Sequence, residues 1–228
     1  MSAHHPRPGS SDGANPPRTP AGAPTRYVAL GDSFTAGAAG SGAPSFGDRL
    51  AEILREASPA LDYVNLATPG ALTTEVAERQ LPAALEMAPD VVSVVCGGND
   101  ALLAVRPDVH AHMAAFEDML ETLHHRLPHA IVATATIPDP GRFLPLRQRT
   151  AARISKAIER INDATSAAAA RHAIPCLDFA AHPEALARGN YARDGYHPSA
   201  EACRRAAGAF AAVIGVRLGI HLDTQEAI

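Results

Sequence analysis

A serine and a distant histidine are the residues of this chain best suited to chemistry on a carbonyl. Ser33 sits in Gly31-Asp32-Ser33-Phe34, directly after the apolar run Tyr27-Val28-Ala29-Leu30. His197 closes Asp194-Gly195-Tyr196-His197, far along the chain. A serine hydroxyl is a weak nucleophile near neutral pH and needs a base within hydrogen-bond reach. Histidine has the side chain whose ordinary pKa suits that task. An aspartate three residues before it, in the same loop, can accept the hydrogen bond from the other ring nitrogen. Such a partner holds the tautomer and stabilises the imidazolium. Pro198 biases His197 towards an extended backbone, so Asp194 and His197 are expected in a loop preformed ahead of the last helix.

Acyl transfer to a serine also needs donors for an oxyanion. The N–H of Ser33 is one candidate. The N–H of Gly70, in Asn65-Leu66-Ala67-Thr68-Pro69-Gly70, is a second, since a residue without Cβ lets a substrate approach the backbone closely. The carboxamide of Asn99, in Gly97-Gly98-Asn99-Asp100, is the third. Around these, Asp32 is expected to tie its turn through the carboxylate, and Asp100 to orient neighbours or cap a helix. Gly97 and Gly98 let the chain turn sharply, and Tyr196 either lines a pocket or packs.

These residues must be carried by something rigid, and strand-like and helix-like patterns alternate along the chain. Short apolar runs at 27–30, 61–66, 90–96, 130–136 and 174–179 read as strands, the valine-rich third most clearly. Helical spacing of apolar residues marks 45–57, 76–85, 109–127, 146–173 and 199–215, with Pro82 able to split the second and Ser199 as N-cap of the last. This alternation predicts a parallel sheet covered on both faces, an α/β domain over residues 26–219. The strand count suggests the order 2-1-3-4-5. In such sheets ligands bind at the carboxyl ends of strands, and Ser33, Gly70 and Asn99 all follow predicted strands. Asp194 and His197 lie beyond the fifth.

The four segments resemble the conserved blocks of the SGNH hydrolases, also called the GDSL esterase/lipase family. Ser33 matches the nucleophile of block one, Gly70 the block-two glycine and Asn99 the block-three asparagine. Asp194 and His197 match the block-five pair. Phe34 stands where the family name has Leu. The resemblance spans the predicted domain and implies a three-layer α/β/α, flavodoxin-like fold. It also implies hydrolysis of an ester or thioester through an acyl-enzyme, with no cofactor and no metal. An acyltransferase using the same site and a non-catalytic binding module are the alternatives.

Other readings are weaker. The α/β-hydrolase elbow Gly-x-Ser-x-Gly needs glycine where Thr35 stands. Gly37-Ala38-Ala39-Gly40-Ser41-Gly42 lacks dinucleotide-binding spacing and is expected to form a flexible loop on the substrate side. His110, His112, His124, His125 and His129 lack metal-ligand spacing and are expected to be solvated or partly packed. Arg142, Arg147, Arg149 and Arg153 read as a charged helix face, with an anion site as the sharper alternative. Leu102, Leu103, Phe143 and Leu144 suit an apolar acyl chain and fit a buried loop contact equally well.

The chain has 228 residues, enough for one domain with a sizeable core and a tail. Its net charge of −4 argues against nucleic acid as a partner, leaving a small-molecule ester as the expected one. Cys96, Cys176 and Cys203 have no pairing pattern and are expected as buried small hydrophobes. Residues 1–25, rich in Pro, Gly, Ser and Ala, read as a disordered tail, and 220–228 as a C-terminal tail. No stretch has the length of a membrane span or the form of an export signal, so a cytoplasmic location is expected. The sequence leaves the oligomeric state open.

Overall fold

The computed structural model describes residues 22–37, 44–103, 107–222 and 224. Most of the predicted N-terminal tail, positions 38–42 of the glycine-rich stretch, residues 104–106, the Arg142 side chain and most of the C-terminal tail lie outside them.

In chain order the elements are β1 (Arg26–Gly31), α1 (Ser33–Ala36), α2 (Phe46–Ala57), β2 (Asp62–Asn65) and α3 (Thr73–Glu75). A π-helical turn (Val76–Gln80) leads into α4 (Leu81–Met87), β3 (Val91–Val95), α5 (Gly98–Leu102), α6 (Val109–Arg126) and β4 (Ile131–Ala135). The chain continues through α7 (Gln148–Arg171), β5 (Cys176–Leu177) and α8 (Ala200–Leu218). The sheet has the order β2-β1-β3-β4-β5 and every pairing is parallel.

Alternation along the strands creates two cores. Tyr27, Ala29, Val91 and Val95 face Leu50 and Leu54 of α2 and Phe210 and Ile214 of α8. Val28, Leu30, Val92 and Val94 face Leu81 of α4 and Phe116, Leu120 and Leu123 of α6. With apolar residues on both surfaces, the middle strands read as continuous hydrophobic runs, and the result is the three-layer α/β/α flavodoxin-like arrangement.

Two local expectations need correction. Pro82 does not split its helix. A proline lacks the N–H for an i−4 bond and its ring crowds the carbonyl of Glu78. The turn just before it widens instead, with Leu81 N–H bonded to Val76 O, and the helical run passes through. The fifth strand is far shorter than residues 174–179. Pro175 offers no N–H, and the Asp178 carboxylate takes hydrogen bonds from the Thr136 hydroxyl and Ala181 N–H, which turns the chain away. Cys176, on this edge strand, is therefore half-buried, whereas Cys96 and Cys203 are buried; all three are free thiols. Among the described residues no helix is long and apolar enough to cross a membrane.

Candidate active site

β1 delivers Ser33 through a tight turn. Gly31 has φ +150, and a Cβ there would lie 2.1 Å from Val95 O and 2.5 Å from Thr35 Oγ1. Only glycine fits between these strand ends. The buried Gln80, set in the π turn, clamps the same residue: Gly31 N–H donates to Oε1 at 2.8 Å and Nε2 donates to Gly31 O at 2.9 Å. Gly31→Ala is expected to destabilise the fold by about 2–5 kcal/mol, from backbone strain and overpacking together. Urea unfolding would check this; an unchanged midpoint would contradict it.

Asp32 caps α1, its Oδ1 accepting from Phe34 N–H at 3.0 Å. Its Oδ2 is buried with no hydrogen-bond partner among the described residues. Burial, with a smaller contribution from the charge of Asp100, pushes the carboxyl up to about 7 against the relief given by Phe34 N–H. The folded state thus keeps a proton that the unfolded chain releases, so this group lowers stability as pH rises from about 4 to 7. Asp32→Asn retains the Oδ1 acceptor and does not titrate. Its stability relative to wild type is expected to increase across that window by on the order of 4 kcal/mol, read from chemical unfolding at several pH values. A difference independent of pH would contradict this.

The structure brings Ser33 together with the distant loop. His197 Nε2 lies 3.1 Å from Ser33 Oγ, and His197 Nδ1 lies 2.7 Å from Asp194 Oδ2. In its ionised form the Asp194 carboxylate only accepts, so Nδ1 carries the hydrogen and Nε2 presents a lone pair to the serine hydroxyl. Asp194 Oδ1 accepts from the N–H groups of Tyr196 and His197 at 2.9 and 3.0 Å, which fixes the loop on itself. Burial alone would raise the Asp194 carboxyl. The hydrogen bonds from His197 and the two backbone N–H groups outweigh it and hold the group below its usual range.

Gly70 follows β2 and Asn99 follows β3, the two strands that flank β1 and with it Ser33. Asn99 is buried, its Nδ2 donating to Ala71 O at 3.0 Å and its Oδ1 accepting from the Tyr196 hydroxyl at 3.0 Å. These two bonds fix the amide orientation and leave one Nδ2 hydrogen uncommitted by them. Burial pushes the Tyr196 phenol upward, so it remains a donor. Gly70 has φ +82, and open space surrounds the position where a Cβ would sit. Ser33 is the first residue of α1, where an N–H has no partner within the helix. Asn65, at the end of β2, pins the turn after the serine by donating to Thr35 O.

Sequence reasoning missed Gln80, Thr73 and the role of Tyr196 as the partner of Asn99. It also placed His112 among the solvated or partly packed histidines, whereas this ring is wholly buried, with Nδ1 2.8 Å from the Thr73 hydroxyl and its face stacked on Phe116. Of the residues suited to an acyl chain or to a loop contact, Leu103 is largely exposed and Phe143 packs on Tyr191. A cavity of about 500 Å³ lies beside Phe34 and Pro198, with Ile137, Phe179, Ala206 and Phe210 in its mainly apolar wall. Arg147 and Arg149 are exposed and Arg153 is half-buried.

The GDSL-like Lipase/Acylhydrolase family pattern matches residues 29–205. The chain belongs to this family. Membership makes this GDSL-like protein a hydrolase of the esterase and acylhydrolase kind, acting on small molecules. Solved structures agree on the fold. The lipase/acylhydrolase from Enterococcus faecalis is 25% identical, with 87% of this chain and 97% of that one covered at a TM-score of 0.65. TesA is 22% identical, covering 85% and 99% at a TM-score of 0.64. The acetyl xylan esterase AlAXEase is 17% identical, covering 83% and 99% at 0.65; these two likenesses speak to the fold alone. No curated protein sequence matches the chain.

Proposed function

We propose that this GDSL-like hydrolase cleaves an ester or thioester through an acyl-enzyme formed on Ser33. The observation that carries the reading is the position of His197, 3.1 Å from Ser33 Oγ on one side and 2.7 Å from Asp194 on the other. Ser33 Oγ attacks the carbonyl carbon as its proton passes to His197 Nε2. Asp194 holds the ring and stabilises the imidazolium. The oxyanion is received by the N–H groups of Ser33 and Gly70 and by the remaining Nδ2 hydrogen of Asn99. Collapse of the intermediate expels the alcohol or thiol, which takes the proton from His197. A water then attacks the Ser33 ester with the same histidine as base, releasing the carboxylic acid and restoring the serine. The E. faecalis relative, described as a lipase/acylhydrolase, supports the same class of chemistry.

A shared covalent intermediate has a direct signature. Esters of one acid with different leaving groups all give the same acyl-Ser33, so added hydroxylamine should divide product between hydroxamate and free acid in one constant ratio. A ratio that changes with the leaving group would rule out the common intermediate. The same assay with alcohol acceptors reads any transferase outcome.

A further inference from the structure

Thr73 is fully buried, so its polar atoms must be satisfied within the protein. Its N–H reaches Asp100 Oδ2 at 3.1 Å, and its hydroxyl lies 3.1 Å from the same oxygen and 2.8 Å from His112 Nδ1. Counting hydrogens fixes the directions. An ionised Asp100 only accepts, so the single hydroxyl hydrogen of Thr73 goes to it. The Thr73 oxygen then accepts, and His112 must donate from Nδ1. That leaves Nε2 as a bare lone pair, buried with no hydrogen-bond partner among the described residues. Burial also pushes His112 down to about 4, which keeps the ring neutral near neutral pH.

The position of Thr73 gives these bonds their consequence. Gly70 lies three residues upstream, and no packing surrounds the site of its missing Cβ, so its N–H is placed by the anchors on either side. Upstream, Thr68 N–H donates to Gly31 O at 3.1 Å. Downstream, Asn99 holds Ala71 O, and its chain neighbour Asp100 holds Thr73. Adjacent residues of α5 therefore grip the loop two residues apart, and His112 of α6 braces the second grip from behind.

We propose that Asp100, acting with Thr73 and His112, is a positioning unit that sets the separation between the Gly70 N–H and the Asn99 carboxamide and so keeps the oxyanion site in register with Ser33. This rests on the functional reading above. Asp100 touches no reacting atom in this account; it works through the loop. Loss of its charge weakens both bonds that Thr73 donates to Oδ2, and the grip on the loop slackens.

The test is a double-mutant cycle on p-nitrophenyl acetate hydrolysis, with thermal unfolding measured in parallel. Asp100→Asn is expected to lower kcat roughly 10- to 100-fold with little change in KM, the scale of a small misplacement at a reacting centre. Thr73→Val, which keeps the N–H and the shape, is expected to act in the same direction and stands in should Asp100→Asn fold poorly. Asn99→Ala alone is expected to cost roughly 10²- to 10³-fold. In the Asn99→Ala background the further effect of Asp100→Asn or Thr73→Val should shrink to a few-fold, because the site they position is already damaged. A merely structural role would give effects that multiply in full, and that result overturns the proposal. So does wild-type kcat in both single variants. If Asn99→Ala itself leaves kcat unchanged, the oxyanion reading fails first and the positioning proposal falls with it.

Discussion

Ser33→Ala is expected to lower kcat on short p-nitrophenyl esters by roughly 10⁴- to 10⁶-fold, the scale seen when a serine nucleophile is removed. The loss follows from the geometry. His197 Nε2 has the Ser33 hydroxyl within reach, at 3.1 Å, and an alanine there removes the proton it would take. His197→Ala should cost nearly as much, because an unassisted serine hydroxyl is a poor nucleophile at neutral pH. The double variant should fall little below either single one, since the two residues act as one unit and their losses do not add. Residual rate would come from the oxyanion donors and from binding alone. Steady-state kinetics on all three variants tests this. Independent, multiplying losses would mean that the two side chains do not share a proton.

Asp194→Asn carries the second large effect and separates orientation from architecture. The substituted side chain keeps an oxygen in the place of Oδ1, which accepts from Tyr196 and His197 N–H, so the loop should hold its shape. At the place of Oδ2 an amide nitrogen would confront the Nδ1 hydrogen of His197. The ring escapes by moving its hydrogen to Nε2, which then offers Ser33 a donor where it needs an acceptor. In serine proteases the corresponding change costs about 10⁴ in kcat. The side chain of Asp194 is 42% exposed, so water can partly replace its support, and roughly 10²- to 10⁴-fold is expected here. Unfolding stability should stay within about 1 kcal/mol of wild type, as is usual for a change that keeps shape and main contacts. A collapse of stability with a matching loss of folded enzyme would assign Asp194 to structure instead.

The parts of this molecule that were legible in its sequence are those specified by contiguous residues. Val91 to Val95 announce a strand buried on both faces because alternate side chains meet different helices. Ser199 announces a helix start because its hydroxyl accepts from the Ala202 N–H within the first turn. The order of the sheet followed from a strand count and a preference of such folds. Ser33, Gly70 and Asn99 could be picked out because each belongs to a short string that follows a strand, where α/β sheets display their chemistry, and Asp194 with His197 because both share one loop just ahead of the last helix. What stayed hidden depends on pairs distant in sequence. Gln80 looks like a surface residue of an amphipathic helix until the π turn aims it at Gly31. His112 looks like one more solvent-facing histidine on α6 until Thr73 is seen to meet it. Tyr196 carries no local sign that its hydroxyl will orient Asn99. The apolar cavity has no local signal for the same reason: its wall combines α8, the end of β4 and the segment after β5, and no single stretch of sequence advertises that surface.

Everything in the proposed mechanism depends on the hydroxyl of Ser33 being made reactive by the imidazole of His197. A fluorophosphonate probe reads that reactivity without any assumption about the natural substrate, and mass spectrometry locates the adduct. The account predicts one adduct per chain, on the peptide that contains Ser33, absent from Ser33→Ala and formed far more slowly in His197→Ala. Modification at another residue, or an undiminished rate at Ser33 after His197 is removed, would contradict it.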